Sequence, residues 1–162
     1  MGEGIKGLKE IKSELEQIVA DKPVLCVFNV NVENMDFYYN EYGPEQRAYA
    51  DNQILSLLKT LQAGSQILYH AAVSHGSYVC LSENLHVVED VRQLIEDTRI
   101  PVYGDLKPAV VDDGKVQLQP DKVKVCIGGV AMSLFMNLDE AFSKLEEANK
   151  KALLQEDRIY IS

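Results

Sequence analysis

Residues 122–133, KVKVCIGGVAMS, constrain the fold more than any other stretch of this chain. Valine and isoleucine occupy every second position from 123 to 127, and this alternation of β-branched residues predicts a strand. We expect the strand to end on Gly128 and Gly129, where a backbone without Cβ atoms can turn sharply into a helix or let a ligand approach closely. The pair is not a GxGxxG motif, so the sequence leaves both roles open.

The length and charge of the chain narrow its class. With 162 residues and a hydrophobic fraction of 46%, the chain suits one domain with a sizeable core. A net charge of −9 argues against nucleic acid and against an anionic membrane surface as partners. No apolar run approaches the roughly 20 residues of a membrane span, and the charged N-terminus is not a signal peptide. These features predict a cytoplasmic protein.

Three cysteines, Cys26, Cys80 and Cys126, lie inside apolar, strand-like runs. Their number is odd and no CxxC motif occurs, so we expect buried thiols rather than disulfides or metal ligands. No zinc-ligand spacing is present, and the sequence predicts no metal site. It indicates no particular cofactor.

Helical and strand-like patterns alternate along most of the chain. The predicted elements are a helix over 5–20, a strand over 23–32, a helix over Pro44–Ala63, a strand over 78–81, a helix after Ser82, strands over 100–102 and 123–127, a helix from Asn137 to about 154, and a last strand over 158–162. This order predicts a single α/β domain over residues 1–162: a three-layer, Rossmann-like fold with a mainly parallel sheet and helices on both faces. A hairpin around Asp113-Gly114 is expected to be added to it.

Residues 65–76, SQILYHAAVSHG, have two interpretations. As a helix, they are capped by Ser65 and ended by Gly76; as a strand, they turn at His75-Gly76 and pair with residues 78–81. We favour the helix, because the cap, the alanines and the final glycine agree. On that interpretation His75 is an exposed residue at the helix end rather than a catalytic one.

The segment 33–43, ENMDFYYNEYG, concentrates four aromatic residues between acidic ones. Aromatic side chains on a loop can form a ligand wall or a partner-facing patch, and they can also simply cover the end of the core. We favour the cover, and base stacking is disfavoured by the negative surroundings.

Three segments resemble an uncharacterised archaeal protein family with a Rossmann-like core: GIKGLKEIK, SQILYHAAVSHGSYVCL and CIGGVAMS, about a third of the chain. The chain differs from that family after the first strand, where Asn29-Val30-Asn31 and the aromatic segment replace a turn of small residues. The resemblance implies the fold and an archaeal, cytosolic origin, and it transfers no activity.

In a parallel sheet the carboxyl ends of the strands share one edge, where ligands bind. The residues that we expect to meet a ligand there are Asn29, Asn31, Tyr103, Gly104, Asp105, Gly128 and Gly129. The function favoured by this arrangement is binding of a small anionic metabolite or nucleotide. Two alternatives remain: an enzyme that uses Asp105 or a tyrosine as acid or base, with catalytic residues otherwise unknown, and a structural subunit, for example of a homodimer.

Overall fold

The computed structural model describes residues 5–19, 25–33, 44–98, 124–132 and 137–162. They form four helices and five strands, which are α1 (Leu8–Val19), β1 (Leu25–Val32), α2 (Pro44–Ala63), β2 (Tyr69–Ser74), β3 (Ser77–Ser82), α3 (His86–Thr98), β4 (Val125–Met132), α4 (Leu138–Ala152) and β5 (Ile159–Ile161). The α/β class predicted from the sequence is confirmed.

The five strands form one mixed sheet in the order β2-β3-β1-β4-β5. Three neighbouring pairs are antiparallel, and the β4–β5 pair is parallel. The expectation of a mainly parallel, Rossmann-like sheet is therefore wrong. Apolar runs buried on both faces are typical of parallel strands, but helices that cover both faces of a mixed sheet produce the same pattern.

Each face of the sheet carries its own apolar layer, because successive strand residues point to opposite sides. On β1, Cys26, Phe28 and Val30 belong to one buried cluster, together with residues of α2 and α3. Leu25 and Val27 belong to the other cluster, which includes residues of α1 and α4. Helices on both faces are thus confirmed.

Residues 65–76 do not form the helix that we favoured; residues 69–74 are strand β2, paired with β3 through a turn at His75-Gly76. Ala71 and Ala72 lie in opposite apolar clusters, as adjacent residues of a strand must. Gly76 has a φ of 78°, a left-handed conformation that favours glycine. The glycine that seemed to end a helix therefore forms a hairpin turn.

Gly128 and Gly129 do not end a strand either, since β4 continues through both of them to Met132. Gly128 pairs with Asn29 and Gly129 with Phe28 on the antiparallel neighbour β1. The space of the missing side chains is filled from both faces. A Cβ on Gly128 would lie 2.6 Å from the backbone nitrogen of Asn149, and a Cβ on Gly129 would lie 2.7 Å from Ile161 Cδ1.

Several other predictions agree with the structure. Helix α2 has the predicted bounds, and Asn137 caps α4 by accepting a hydrogen bond from the Glu140 backbone nitrogen at 2.7 Å. The three cysteines are buried on β1, β3 and β4, and their thiols are free. The predicted strand 100–102, the Asp113-Gly114 hairpin and most of the aromatic segment lie outside the described residues.

Among the helices that the structure describes, none combines the length and the hydropathy required to cross a membrane.

Candidate functional site

Four polar side chains close a ring of hydrogen bonds over the middle of the sheet. Ser77 Oγ donates to Asn31 Oδ1 (2.9 Å), and Asn31 Nδ2 donates to Asn149 Oδ1 (3.2 Å). Asn149 Nδ2 then donates to Asn29 Oδ1 (2.8 Å), and Asn29 Nδ2 completes the ring by donating to Ser77 Oγ (3.1 Å). The ring joins β1, β3 and α4, and it satisfies Asn29, which is 7% exposed.

One backbone carbonyl determines which atoms donate and which accept around the ring of hydrogen bonds. Asn29 Nδ2 lies 2.9 Å from the carbonyl oxygen of Tyr78, which can only accept, so this atom of Asn29 must be the nitrogen. Asn29 Oδ1 must then face the Asn149 amide nitrogen, and each following amide is oriented in turn. The arrangement is a network of neutral groups with one defined polarity.

A cleft of about 440 Å³ opens beside two members of the ring. Asn29 and Asn149 are the uncharged polar residues that line it. Most of its remaining wall is apolar and comes from α1, β2, β3 and α4, in the form of Leu8, Val73, Val79, Phe142 and Leu145. Lys6 and Glu146 also line it, and Lys6 Nζ is paired with Glu14 at 2.9 Å.

On the opposite side of β3, the carboxylate of Asp51 holds the β2–β3 turn. Asp51 lies on α2, is 7% exposed, and accepts hydrogen bonds from the Gly76 backbone nitrogen (2.8 Å) and from the Tyr78 hydroxyl. Its second oxygen lies 2.7 Å from His75 Nδ1. A buried carboxylate is tolerated here because three polar groups meet it.

Tyr78 and His75, the two aromatic side chains that contact Asp51, differ in burial and in hydrogen-bonding role. Burial, and then the Asp51 charge, raise the pKa of the Tyr78 hydroxyl well above its usual range, so Tyr78 remains a neutral donor. The His75 side chain is 46% exposed. Because a carboxylate only accepts, Nδ1 of His75 carries the proton, and Nε2 is an acceptor when the imidazole is neutral.

A second cleft, of about 360 Å³, is lined by charged residues of α3, of the ends of β1 and β4, and of the segment before β5. Within it, Arg92 pairs with Glu96 at 3.1 Å and Arg158 with Glu33 at 3.5 Å. Its charges therefore largely pair with one another. Within the described ranges, no three His, Cys, Asp or Glu side chains are grouped so that they could hold a metal ion.

The structure brings together some of the residues predicted to meet a ligand. Asn29 and Asn31 belong to the ring, and Gly128 lies under α4 next to it. Tyr103, Gly104 and Asp105 lie outside the described residues. Whether any of these residues contacts a ligand stays a prediction.

Sequence reasoning missed Ser77, Asn149 and Asp51. Asn149 stands in the polar run EEANKK, and Asp51 stands among polar residues of α2, so neither differs locally from a solvated helix position. One signal was present for Asp51: it lies three residues before the buried Ile54, so the two share a helix face.

Compared by sequence, the chain matches no protein-family model and no curated protein. Compared by structure, it resembles the GGDEF domain of DgcB from Caulobacter crescentus in complex with c-di-GMP. The TM-score is 0.74 at 9% identity, over 98% of this chain and 92% of that one. It also resembles the active GGEEF domain of a diguanylate cyclase from Vibrio cholerae, with a TM-score of 0.66 at 12% identity over 98% and 97% of the chains.

A third similar structure is the FimX GGDEF domain from Pseudomonas aeruginosa, with a TM-score of 0.59 at 10% identity over 89% of this chain and 86% of that one. At such low identity these likenesses show the fold. The resemblance to an archaeal family with a Rossmann-like core is wrong, because the fold is that of GGDEF domains.

The functional expectation is corrected with the fold. The expected binding of an unspecified metabolite or nucleotide at a shared carboxyl edge, and the enzyme alternative that used the same crevice, assumed parallel neighbouring strands. Strand β1 is antiparallel to both neighbours, so its carboxyl end and theirs lie at opposite edges of the sheet.

Proposed function

We propose that this chain binds a guanine nucleotide of the cyclic dinucleotide type, with c-di-GMP as the first ligand to test, and that it does not synthesise one. The observation that carries the proposal is the likeness to a GGDEF domain in complex with c-di-GMP, which covers 98% of this chain and 92% of that one. A likeness over nearly the whole of both chains, rather than over the sheet alone, supports the proposal.

The contact group that we propose is His75, at the turn between β2 and β3. Its side chain is 46% exposed, and Asp51 orients its ring from the buried side at 2.7 Å. When the imidazole is neutral, its Nε2 is an acceptor. Guanine carries an exocyclic amino group at N2, which is a donor that adenine lacks at that position. A guanine seated against His75 is thereby favoured over adenine.

Binding without synthesis is favoured by the side chains at the carboxyl half of β1. Phosphoryl transfer relies on Mg²⁺, which takes carboxylate ligands. Asn29 and Asn31 are amides, and both are engaged in the neutral ring with Ser77 and Asn149. These residues do not fit a Mg²⁺ site. The strings GGDEF and GGEEF do not occur in the sequence either, and its single Gly-Gly pair is followed by Val130 and Ala131.

The test is a calorimetric titration of the full chain with c-di-GMP, GTP, c-di-AMP and ATP, together with a turnover assay of GTP and Mg²⁺. We expect saturable binding of c-di-GMP, at least about tenfold weaker binding of c-di-AMP, and no c-di-GMP formed from GTP. A ligand at 100 times its Kd adds about 2.7 kcal/mol to the free energy of unfolding, so a thermal shift should accompany binding.

His75→Ala should weaken c-di-GMP binding, whereas His86→Ala, which removes an exposed histidine of α3, should leave it unchanged. Failure of c-di-GMP and GTP to bind would refute the proposal. Equal affinity for c-di-AMP, or an equal effect of the two histidine substitutions, would refute the role of His75. Formation of c-di-GMP from GTP would show that the domain is a cyclase.

A further inference from the structure

The cleft beside the amide ring has the character of a small-molecule site. Its volume of about 440 Å³ falls within the range of about 300–1,000 Å³ that is usual for ligand pockets. Such pockets combine apolar walls with a few oriented polar groups. Here the walls are mostly aliphatic and aromatic side chains, and the uncharged polar residues that line the cleft are Asn29 and Asn149, beside the charged Lys6 and Glu146.

The two carboxamides offer one donor and one acceptor side by side. Asn149 Nδ2 has two hydrogens, and one of them is used in the bond to Asn29 Oδ1 at 2.8 Å. Asn29 Oδ1 accepts that hydrogen with one of its two lone pairs. Within the described part of the chain, the second hydrogen of Asn149 and the second lone pair of Asn29 have no partner. Since the ring fixes both amide orientations, this donor and acceptor cannot exchange places.

We propose that this cleft binds a neutral, planar molecule that carries a lactam edge. A lactam places a carbonyl acceptor next to an N–H donor, which complements the hydrogen of Asn149 and the lone pair of Asn29. The apolar walls, including the ring of Phe142, suit a flat aromatic body. A carboxylate would face the Asn29 oxygen with a lone pair of its own, and Glu146 at the cleft adds a like charge.

This proposal does not rest on cyclic dinucleotide binding. The cleft beside the amide ring lies on the side of β3 that carries Val79, whereas Asp51 contacts His75 from the side of α2. The two sites can therefore be disabled separately. Binding of 2-quinolone without binding of c-di-GMP would refute only the nucleotide proposal, and the reverse result would refute only the proposal for this cleft.

The test is an NMR titration of the ¹⁵N-labelled full chain with 2-quinolone, a neutral bicyclic lactam, following the side-chain amide signals of Asn29 and Asn149. The matched ligand is N-methyl-2-quinolone, which has nearly the same shape and lacks the N–H donor. We expect saturable shifts of both amides with 2-quinolone. The methylated ligand should bind at least about tenfold more weakly, the order expected when a buried acceptor loses its partner.

Two variants locate the binding. Leu8→Trp places a large side chain at a cleft residue that is 47% exposed, so it should abolish quinolone binding and leave the fold intact. Asn149→Asp replaces the donor by a carboxylate and should weaken binding at least about tenfold. Asn52→Asp, which adds the same charge at an exposed position of α2, should have no effect.

Absence of saturable 2-quinolone binding to the unsubstituted chain would overturn the proposal. Equal affinity for the two quinolones would overturn the lactam contact, and full binding to Leu8→Trp would overturn its location.

Discussion

Gly128 on β4 lies directly beneath Asn149 on α4, with no room for a side chain between them. A Cβ on Gly128 would come within 2.6 Å of the Asn149 backbone nitrogen and 2.8 Å of the Ala148 carbonyl carbon. This close approach brings the helix down onto the sheet, and it places the Asn149 carboxamide within reach of Asn29 and Asn31. The glycine thus makes the amide ring possible without taking part in it.

Gly128→Ala should destabilise the fold more than Gly129→Ala. At Gly128 the added methyl meets helix backbone, which cannot shift without moving α4, and overpacking of this kind costs about 1–3 kcal/mol. At Gly129 its nearest neighbour is the end of the Ile161 side chain at 2.7 Å, which can rotate away. Urea unfolding of the two variants measures the difference. A larger loss of stability in Gly129→Ala than in Gly128→Ala would contradict the close approach of α4 to β4 at Gly128.

Asp51→Asn should loosen the β2–β3 turn. The substitution removes the charge that Gly76, Tyr78 and His75 share, and hydrogen bonds to a charged group contribute about 1.5–3 kcal/mol. We expect a comparable loss of unfolding free energy in urea and faster hydrogen exchange at the Gly76 amide. Asp90→Asn, an exposed substitution on α3, is the control and should stay within about 0.5 kcal/mol. Unchanged exchange at Gly76 would contradict the role given to Asp51.

The buried thiols predict a pH dependence of stability. Burial raises the pKa of Cys26 from 9.0 to about 12 and that of Cys126 from 9.0 to about 11, and it raises the pKa of Cys80 as well. Above pH 9 the unfolded chain therefore releases these protons while the folded chain keeps them. The thiols contribute their full stability below pH 9, and this is lost progressively as the pH rises toward 11 and 12.

Urea unfolding between pH 8 and 11 should show this decline, with a slope of up to about 1.4 kcal/mol per pH unit for each thiol. Cys126→Ala should make the decline shallower. At pH 8 the native thiols should react slowly with a thiol reagent, and all three should react on unfolding. Rapid labelling of two or more thiols in the native chain would contradict their burial.

Local patterns were sufficient for much of the secondary structure. Pro44 at the first position and Gly64 past the end mark α2, Asn137 marks the start of α4, a nearly continuous apolar run marks β1, and alternating β-branched residues mark the first part of β4. These features depend on backbone geometry and on which face is buried, both of which repeat along the chain. These local patterns do not indicate whether two paired strands run parallel or antiparallel.

That missing direction is why the expected common edge of a parallel sheet is wrong. The expected edge assumed that β1, β3 and β4 run the same way, but β1 is antiparallel to both of the others. Asn29 and Gly128 do meet, yet they meet as paired residues in the middle of the sheet rather than as two loops at its edge. The helix expected at residues 65–76 is wrong for a related reason, because the cap and the final glycine are local signals, whereas pairing with β3 decides the strand.

The sequence by itself determined the α/β class, the bounds of α2, the start of α4, the strand positions of the three cysteines and the acidic charge that disfavours nucleic acid. These follow from short-range periodicity and composition. Only the tertiary structure decided the order and direction of the strands, the ring of Asn29, Ser77, Asn31 and Asn149, and the attachment of the hairpin turn to Asp51. The ring joins residues up to 120 positions apart, and a polar side chain gives no local sign of which distant partner will satisfy it once water is excluded.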